Sequence, residues 1–161
     1  MNHAFYTAVI CEKGHVLTAT WELSPADTPT FCKDCDSKTL RACPACSEPL
    51  HGRRVDDRVL SLRPRIADRF CSACGAAYPW TVAALSDLQQ EVDRVTTLTA
   101  AEKGELMGAA EVVVRGAATA SNAADRFRSL AAQAGPALLA TAKSLLETVV
   151  LPAMARRIWD P

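Results

Sequence analysis

Seven cysteines and one histidine carry the spacing in this chain that could do chemistry: Cys11, Cys32, Cys35, Cys43, Cys46, Cys71 and Cys74, with His15 four residues after the first. Six of the cysteines form three C-x-x-C pairs, in FCKDC, CPAC and FCSAC, and CEKGH supplies a fourth pair of thiol and imidazole. A tight turn between two such ligands aims both at one point, which is what a tetrahedral metal site requires. Eight ligands make two complete shells, one of three cysteines with a histidine and one of four cysteines. Zinc suits both, because it is redox-inert and takes thiolate and imidazole without a strong geometric demand. The expectation is two Zn2+ per chain. The competing readings are a thioredoxin-like redox pair, which needs a βαβ setting that the sequence does not show, and an iron–sulfur cluster.

How the pairs combine decides the architecture. The stretch FCKDCDSKTLRACPAC packs four cysteines together, yet they need not share an ion. A cross-brace would join the first pair to the third and the second to the fourth. Such domains usually leave two or three residues between their middle pairs, whereas seven separate Cys35 from Cys43. The sequential arrangement puts Cys11, His15, Cys32 and Cys35 on one ion and Cys43, Cys46, Cys71 and Cys74 on the next. A weak repeat favours it, since the first set ends in FCKDC and the second in FCSAC. The inserts of 16 and 24 residues suit the strands of zinc ribbons. AFYTAVI and VLTATWEL are β-prone and flank CEKGH, which reads as a hairpin with a metal knuckle at its tip.

The order C-x-x-G-H, F-C-x-x-C, C-P-x-C, F-C-x-x-C-G and Y-P-W-T resembles a bacterial zinc-ribbon family known as domain of unknown function 2321. Here those elements are CEKGH, FCKDC, CPAC, FCSACG and YPWT, and the likeness runs from residue 9 to about 95, with the helical tail matching more loosely. The resemblance implies cysteine-rich zinc ribbons followed by helices and brings no activity with it. One departure is Asp36, where many ribbon knuckles carry glycine for a turn at positive φ. Aspartate tolerates that conformation.

Beyond YPWT the hydrophobic period lengthens from two to about 3.6 residues. Leu85, Leu88, Val92 and Val95 mark a helix over about 82–96. Thr99 and Glu102 form a capping box that opens a second helix, with Leu106 and Ala110 facing inward. EVVVRGAAT reads as a helix end and loop, on its three valines and its glycine. Ser121 is a candidate cap for a third helix carrying Ala124, Phe127 and Leu130. Gly135-Pro136 ends that helix and starts a fourth, over about 137–159, with a stripe of Leu138, Ala142, Leu145 and Val149 and a kink at Pro152. The fold class is α+β: two tandem zinc ribbons over residues 1–80, then a small bundle of about four helices over 81–161. The composition shifts at the same place. All seven cysteines and six of the nine prolines precede residue 81.

Eighteen basic residues against eighteen acidic ones give no global attraction to nucleic acid or membranes. The N-terminus lacks a secretory pattern, and no apolar run reaches the length of a bilayer span, so a cytoplasmic location is expected. Arg53, Arg54, Arg58, Arg63, Arg65 and Arg69 could track a phosphate backbone. Asp56, Asp57 and Asp68 interrupt them, and stacking aromatics are missing from that insert. His3 and His51 lack obvious carboxylate partners and read as surface residues. Tyr78 and Trp80 at the domain joint, and Ile158 and Trp159 near the C-terminus, are candidate partner contacts, with burial at the joint or on the bundle as the alternative.

No catalytic residue is expected. Closed ligand sets leave no position for water or substrate, and there is no activated serine, carboxylate pair or phosphate-binding glycine loop. The function read from the sequence is a non-enzymatic interaction module that docks a protein partner or a second copy of itself, with neither a membrane nor a small-molecule substrate. Nucleic-acid binding through Arg53, Arg54, Arg58, Arg63 and Arg65 is the alternative.

Overall fold

The computed structural model of the protein describes residues 5–55, 67–116 and 120–149. It is an α+β chain, with small antiparallel sheets and the two cysteine-rich groups first and the helices after. Its contacts divide it into two units, Met1–Trp80 and Thr81–Pro161.

In the first unit Gly14 adopts φ +88°, and the chain reverses between Cys11 and His15. Strand β2 (Val9–Cys11) therefore pairs antiparallel with β3 (Val16–Thr18), Ile10 lying opposite Val16. The short strand β4 (Thr39–Leu40) adds to the other edge of β2, so that Leu40 faces Ile10 and Thr39 faces Cys11. This three-stranded sheet places the first knuckle beside the FCKDC turn.

AFYTAVI does not form one strand. It breaks at Ala8, and β1 (Phe5–Thr7) turns away to pair antiparallel with β5 (His51–Arg54). Ala8 is fully buried at the break, and its amide donates to the Leu50 carbonyl at 2.8 Å. Gly52 makes the pairing possible. A Cβ there would fall on the carbonyl oxygens of Ala19 and Tyr6, so only glycine lets β5 lie so close to both stretches. The two ribbon segments follow each other in sequence but are tied by this pairing, because β5 lies in the insert of the second.

VLTATWEL also divides. After β3 the segment Trp21–Leu23 forms a 3-10 turn, from which the Glu22 carboxylate accepts the Thr7 amide at 2.9 Å and the Thr7 hydroxyl. The core of the unit gathers Ala8, Ile10, Leu50, Tyr78 and Trp80 with Cys43 and Cys71.

Among the described residues the second unit is built from four α-helices: α1 (Pro79–Arg94, whose first two residues fall in the first unit), α2 (Ala100–Arg115), α3 (Ala120–Ala134) and α4 (Pro136–Val149). Helix α1 starts three residues before the expected position because proline is preorganised for a first helical turn. Leu88 and Val92 on α1 are fully buried. Helix α2 opens with the capping box, Thr99 and Glu102 each accepting the other's backbone amide.

It also runs through EVVVR, where the sequence pointed to a loop. Val113 and Val114 are buried, and that burial outweighs the few tenths of a kcal/mol that a β-branched residue costs a helix. Gly116 at φ +70° ends it. Ser121 lies inside α3 and does not cap it. Phe127 and Leu130 of α3, and Leu138, Ala142 and Leu145 of α4, are buried as their spacing required. Gly135 at φ +110° forms the break between the two helices. The expected kink at Pro152 lies outside the described residues.

Candidate metal centres

Each C-x-x-C pair sits in the same local turn. The first cysteine's carbonyl accepts the amide of the residue that follows the second: Asp36 on Cys32 at 2.9 Å, Ser47 on Cys43 at 2.9 Å, Gly75 on Cys71 at 2.8 Å. Its own amide then donates one residue further on, to the carbonyls of Ser37, Glu48 and Ala76 respectively. Closing the loop this way forces the residue after the second cysteine to positive φ. Asp36 (54°), Ser47 (62°) and Gly75 (73°) all comply. Only one of the three is glycine, so Asp36 and Ser47 hold a conformation that costs an ordinary L-residue roughly 1–2 kcal/mol. In CEKGH, Gly14 donates to the Cys11 carbonyl at 2.8 Å, and the His15 amide points at the Cys11 sulfur at 3.3 Å.

These turns bring the ligands together in two groups among the described residues. Cys11, His15, Cys32 and Cys35 form one, and Cys43, Cys46, Cys71 and Cys74 the other, with all ligand atoms in a group within 4.8 Å of one another. The sulfurs of Cys11 and Cys35 are 3.7 Å apart, and the Cys32 sulfur is 3.6 Å from His15 Nδ1. In the second group Cys43 and Cys74 are 3.8 Å apart and Cys46 and Cys71 3.6 Å.

A tetrahedron with metal–sulfur bonds of about 2.3 Å has edges of about 3.8 Å between sulfurs and about 3.6 Å between sulfur and imidazole nitrogen. The residues therefore fit a single ion in each group. Pairing is sequential, and the cross-brace arrangement is absent from these two groups.

Proton affinities within each group point the same way. In the first, the Ser37 hydroxyl and amide bring Cys35 down to about 6, while burial raises Cys11. In the second, the Cys74 and Ala73 amides bring Cys71 down to about 6. The Glu48 amide draws Cys46 down, but the Cys74 thiol, desolvation and the Cys71 and Cys43 thiols together carry it up to about 12. The three thiols of the first group and the four of the second cannot all ionise unless a cation sits among them. Each group can hold a metal ion because its four ligand atoms converge on one point.

A family model described as "Uncharacterized protein conserved in bacteria (DUF2321)" matches residues 4–158. The chain belongs to that family. The DUF2321 match extends well past the cysteine-rich half and takes in the helices, which the sequence motifs reached only loosely. No curated protein and no solved structure matches the chain.

The remaining candidate residues of this DUF2321 chain fall out differently. Tyr78 and Trp80 are only 4% and 2% exposed, which corrects the expectation that they meet a partner. Their rings stack at 4.8 Å, and the Trp80 indole donates to the Asp68 carbonyl at 2.8 Å. The Tyr78 hydroxyl is held above its ordinary pKa by burial and by its hydrogen bond to Cys71. Trp80 also lies against Gly14, where a Cβ would come within 3.2 Å of it. These two aromatics pack beside the second metal group and beside the turn of the first.

Of the arginines, Arg53 and Arg54 lie on β5. Arg53 donates its backbone amide to Ala19, and the Arg54 guanidinium lies over the Phe5 ring at 5.8 Å. Arg58, Arg63, Arg65, Ile158 and Trp159 lie outside the described residues. Sequence reading passed over Gly52 and Ser47. Gly52 carried a signal as a lone glycine in a short β-prone stretch, whereas serine at positive φ has no signature of its own.

Proposed function

We propose that this chain is a zinc-binding interaction protein in which both ions are structural. The observation that carries the reading is that each group supplies four ligand atoms, so a tetrahedral ion in either is fully coordinated and keeps no position for water or substrate. Zinc is the ion that accepts three thiolates with an imidazole in one group and four thiolates in the other, and it adds no redox chemistry. A cluster of several irons would hold its thiolates further apart than the 4.8 Å within which each group's ligand atoms lie. Seven free cysteines gathered on metals also fit a reducing cytoplasm, where thiolates persist. Among the described residues no helix is long and apolar enough to cross a membrane.

The ions replace a core that the first unit is too small to build, at roughly 10–16 kcal/mol of folding free energy for such a site. With Tyr78 and Trp80 buried, the surface offered to a protein partner centres on apolar side chains that the fold leaves out. Phe31 is the clearest. It precedes Cys32 and is 57% exposed, although Phe70 at the matching position before Cys71 is partly covered.

Elemental analysis of the purified chain should give two equivalents of zinc, and one equivalent or iron would refute the assignment. Affinity capture from the native cells, with and without nuclease, tests the partner. A protein retained after nuclease and lost in Phe31→Ala supports the reading, and recovery of nucleic acid alone overturns it.

A further inference from the structure

The two ligand groups differ in what they show to solvent. In the first, Cys11 and Cys32 are buried, Cys35 is partly covered, and the exposed ligand is the imidazole of His15. In the second, Cys43 and Cys71 are buried and both remaining ligands, Cys46 and Cys74, are exposed thiols, one from each knuckle. Sulfur oxidation follows thiolate character and exposure. A metal-bound thiolate keeps its lone pairs, so exposure decides which of the seven sulfurs a small oxidant meets first. Imidazole resists the same attack. The most exposed ligand of the first group is thus inert to hydroperoxides and its Cys35 sulfur is partly covered, whereas the second group shows two exposed sulfurs.

We infer that Cys46 and Cys74 form an oxidative modification site, at which a hydroperoxide converts the second metal centre into a disulfide and releases its ion while the first centre stays loaded. The inference rests on the metal reading above. In the first step one exposed thiolate attacks the O–O bond of hydrogen peroxide. Sulfur gains an S–O bond as a sulfenic acid, and the departing hydroxide takes a proton and leaves as water.

The second thiolate, whose sulfur lies within 4.8 Å of the first, then attacks the sulfenic sulfur. The S–S bond forms, and the hydroxide expelled from sulfur takes a proton and leaves as a second water. Two sulfurs have lost one electron each, and one peroxide has taken both. Cys43 and Cys71 remain as the only protein ligands, too few to retain the ion. They belong to the core that Tyr78 and Trp80 complete, so the loss loosens the packing around both aromatics.

The test uses the full-length zinc-loaded chain, checked first for two equivalents of metal and then titrated with hydrogen peroxide beside a chromophoric chelator. The expected result is release of one equivalent, with Cys46 and Cys74 becoming resistant to alkylation until reduced and with Cys11, Cys32 and Cys35 remaining metal-protected. Release of both equivalents together, release from the first group before the second, or a first disulfide elsewhere overturns the proposal. His15→Cys, which puts an exposed thiolate on the first group, should make the second equivalent peroxide-labile as well. Cys46→His should make the second centre more resistant. A His15→Cys chain that holds its second equivalent as firmly as before shows that exposed sulfur does not set lability. A chain with fewer than two equivalents at the outset refutes the metal reading, and the proposal with it.

Discussion

Replacing Trp80 with alanine should weaken the second metal centre without touching any of its ligands. The side chain is 2% exposed, stacks on Tyr78 and donates its indole N–H to the Asp68 carbonyl. Truncating a buried tryptophan costs roughly 3–5 kcal/mol in lost transfer energy and cavity. The Asp68 carbonyl also loses its donor, which adds about 1 kcal/mol if water reaches it and more if water does not.

Because the ion binds the folded unit and not the unfolded chain, this destabilisation appears as weaker apparent metal affinity. At about 1.4 kcal/mol per tenfold, the loss should be roughly 10³–10⁴-fold. Competition against a chromophoric chelator at buffered free zinc measures it directly, with urea unfolding of the loaded chain as a second readout. Trp80→Phe keeps the ring stack but not the indole donor and should fall between wild type and alanine. If Trp80→Ala binds zinc within about threefold of wild type and unfolds at the same urea concentration, Trp80 is not a core residue and the reasoning from its burial fails.

Gly52→Ala should disrupt the β1–β5 pairing, since its Cβ would meet two backbone carbonyls that cannot move aside, and limited proteolysis of the first unit should speed up. Ser47→Gly should do the reverse, because it relieves a serine at φ 62°, and should raise the urea midpoint for zinc release by an amount corresponding to about 1 kcal/mol. In the second unit, Thr99→Ala removes the α2 cap and should cost about 1 kcal/mol of helical stability by far-UV circular dichroism, leaving metal content at two equivalents. Glu102 is held below its ordinary pKa of 4.5 by the Thr99 amide and then by the Thr99 hydroxyl. Its contribution is therefore full above about pH 4.5 and is lost as pH falls through the lower folded value. The melting difference between wild type and Glu102→Gln should shrink over that interval, and a difference that grows on acidification would contradict the sign.

The ligand sets were legible in the sequence because C-x-x-C is a local device: a few residues of turn geometry decide where both sulfurs point. The capping box at Thr99 and Glu102 and the break at Gly135-Pro136 were legible for the same reason. What escaped was set by distant contacts. Nothing within AFYTAVI says that it divides at Ala8, because the partner that draws Phe5–Thr7 away lies at His51–Arg54. The valines of EVVVR look like a helix end until Val113 and Val114 are seen to be buried. Tyr78 and Trp80 could be recognised as a cluster, but whether such a cluster faces solvent or a core depends on Leu50, Ala8 and Ile10, which the sequence leaves far away.

The strand pairing between β1 and β5 also sets an order of assembly. As the chain is made, the four ligands of the first centre are complete once Cys35 has emerged, yet Phe5–Thr7 has nothing to pair with until His51–Arg54 follows. Closing that long loop carries an entropic cost, which an ion bound by Cys11, His15, Cys32 and Cys35 would reduce by already tying residues 11 and 35 together. The second centre waits longer still, for Cys71 and Cys74, and Trp80 arrives only after them to cover Gly14 in the turn of the first. A chain cut in the SKTLRA joint would thus keep a complete set of first-centre ligands but leave its opening strand without a partner. Neither half is a self-sufficient module, and the last residues of the unit are needed to finish what the first ones begin.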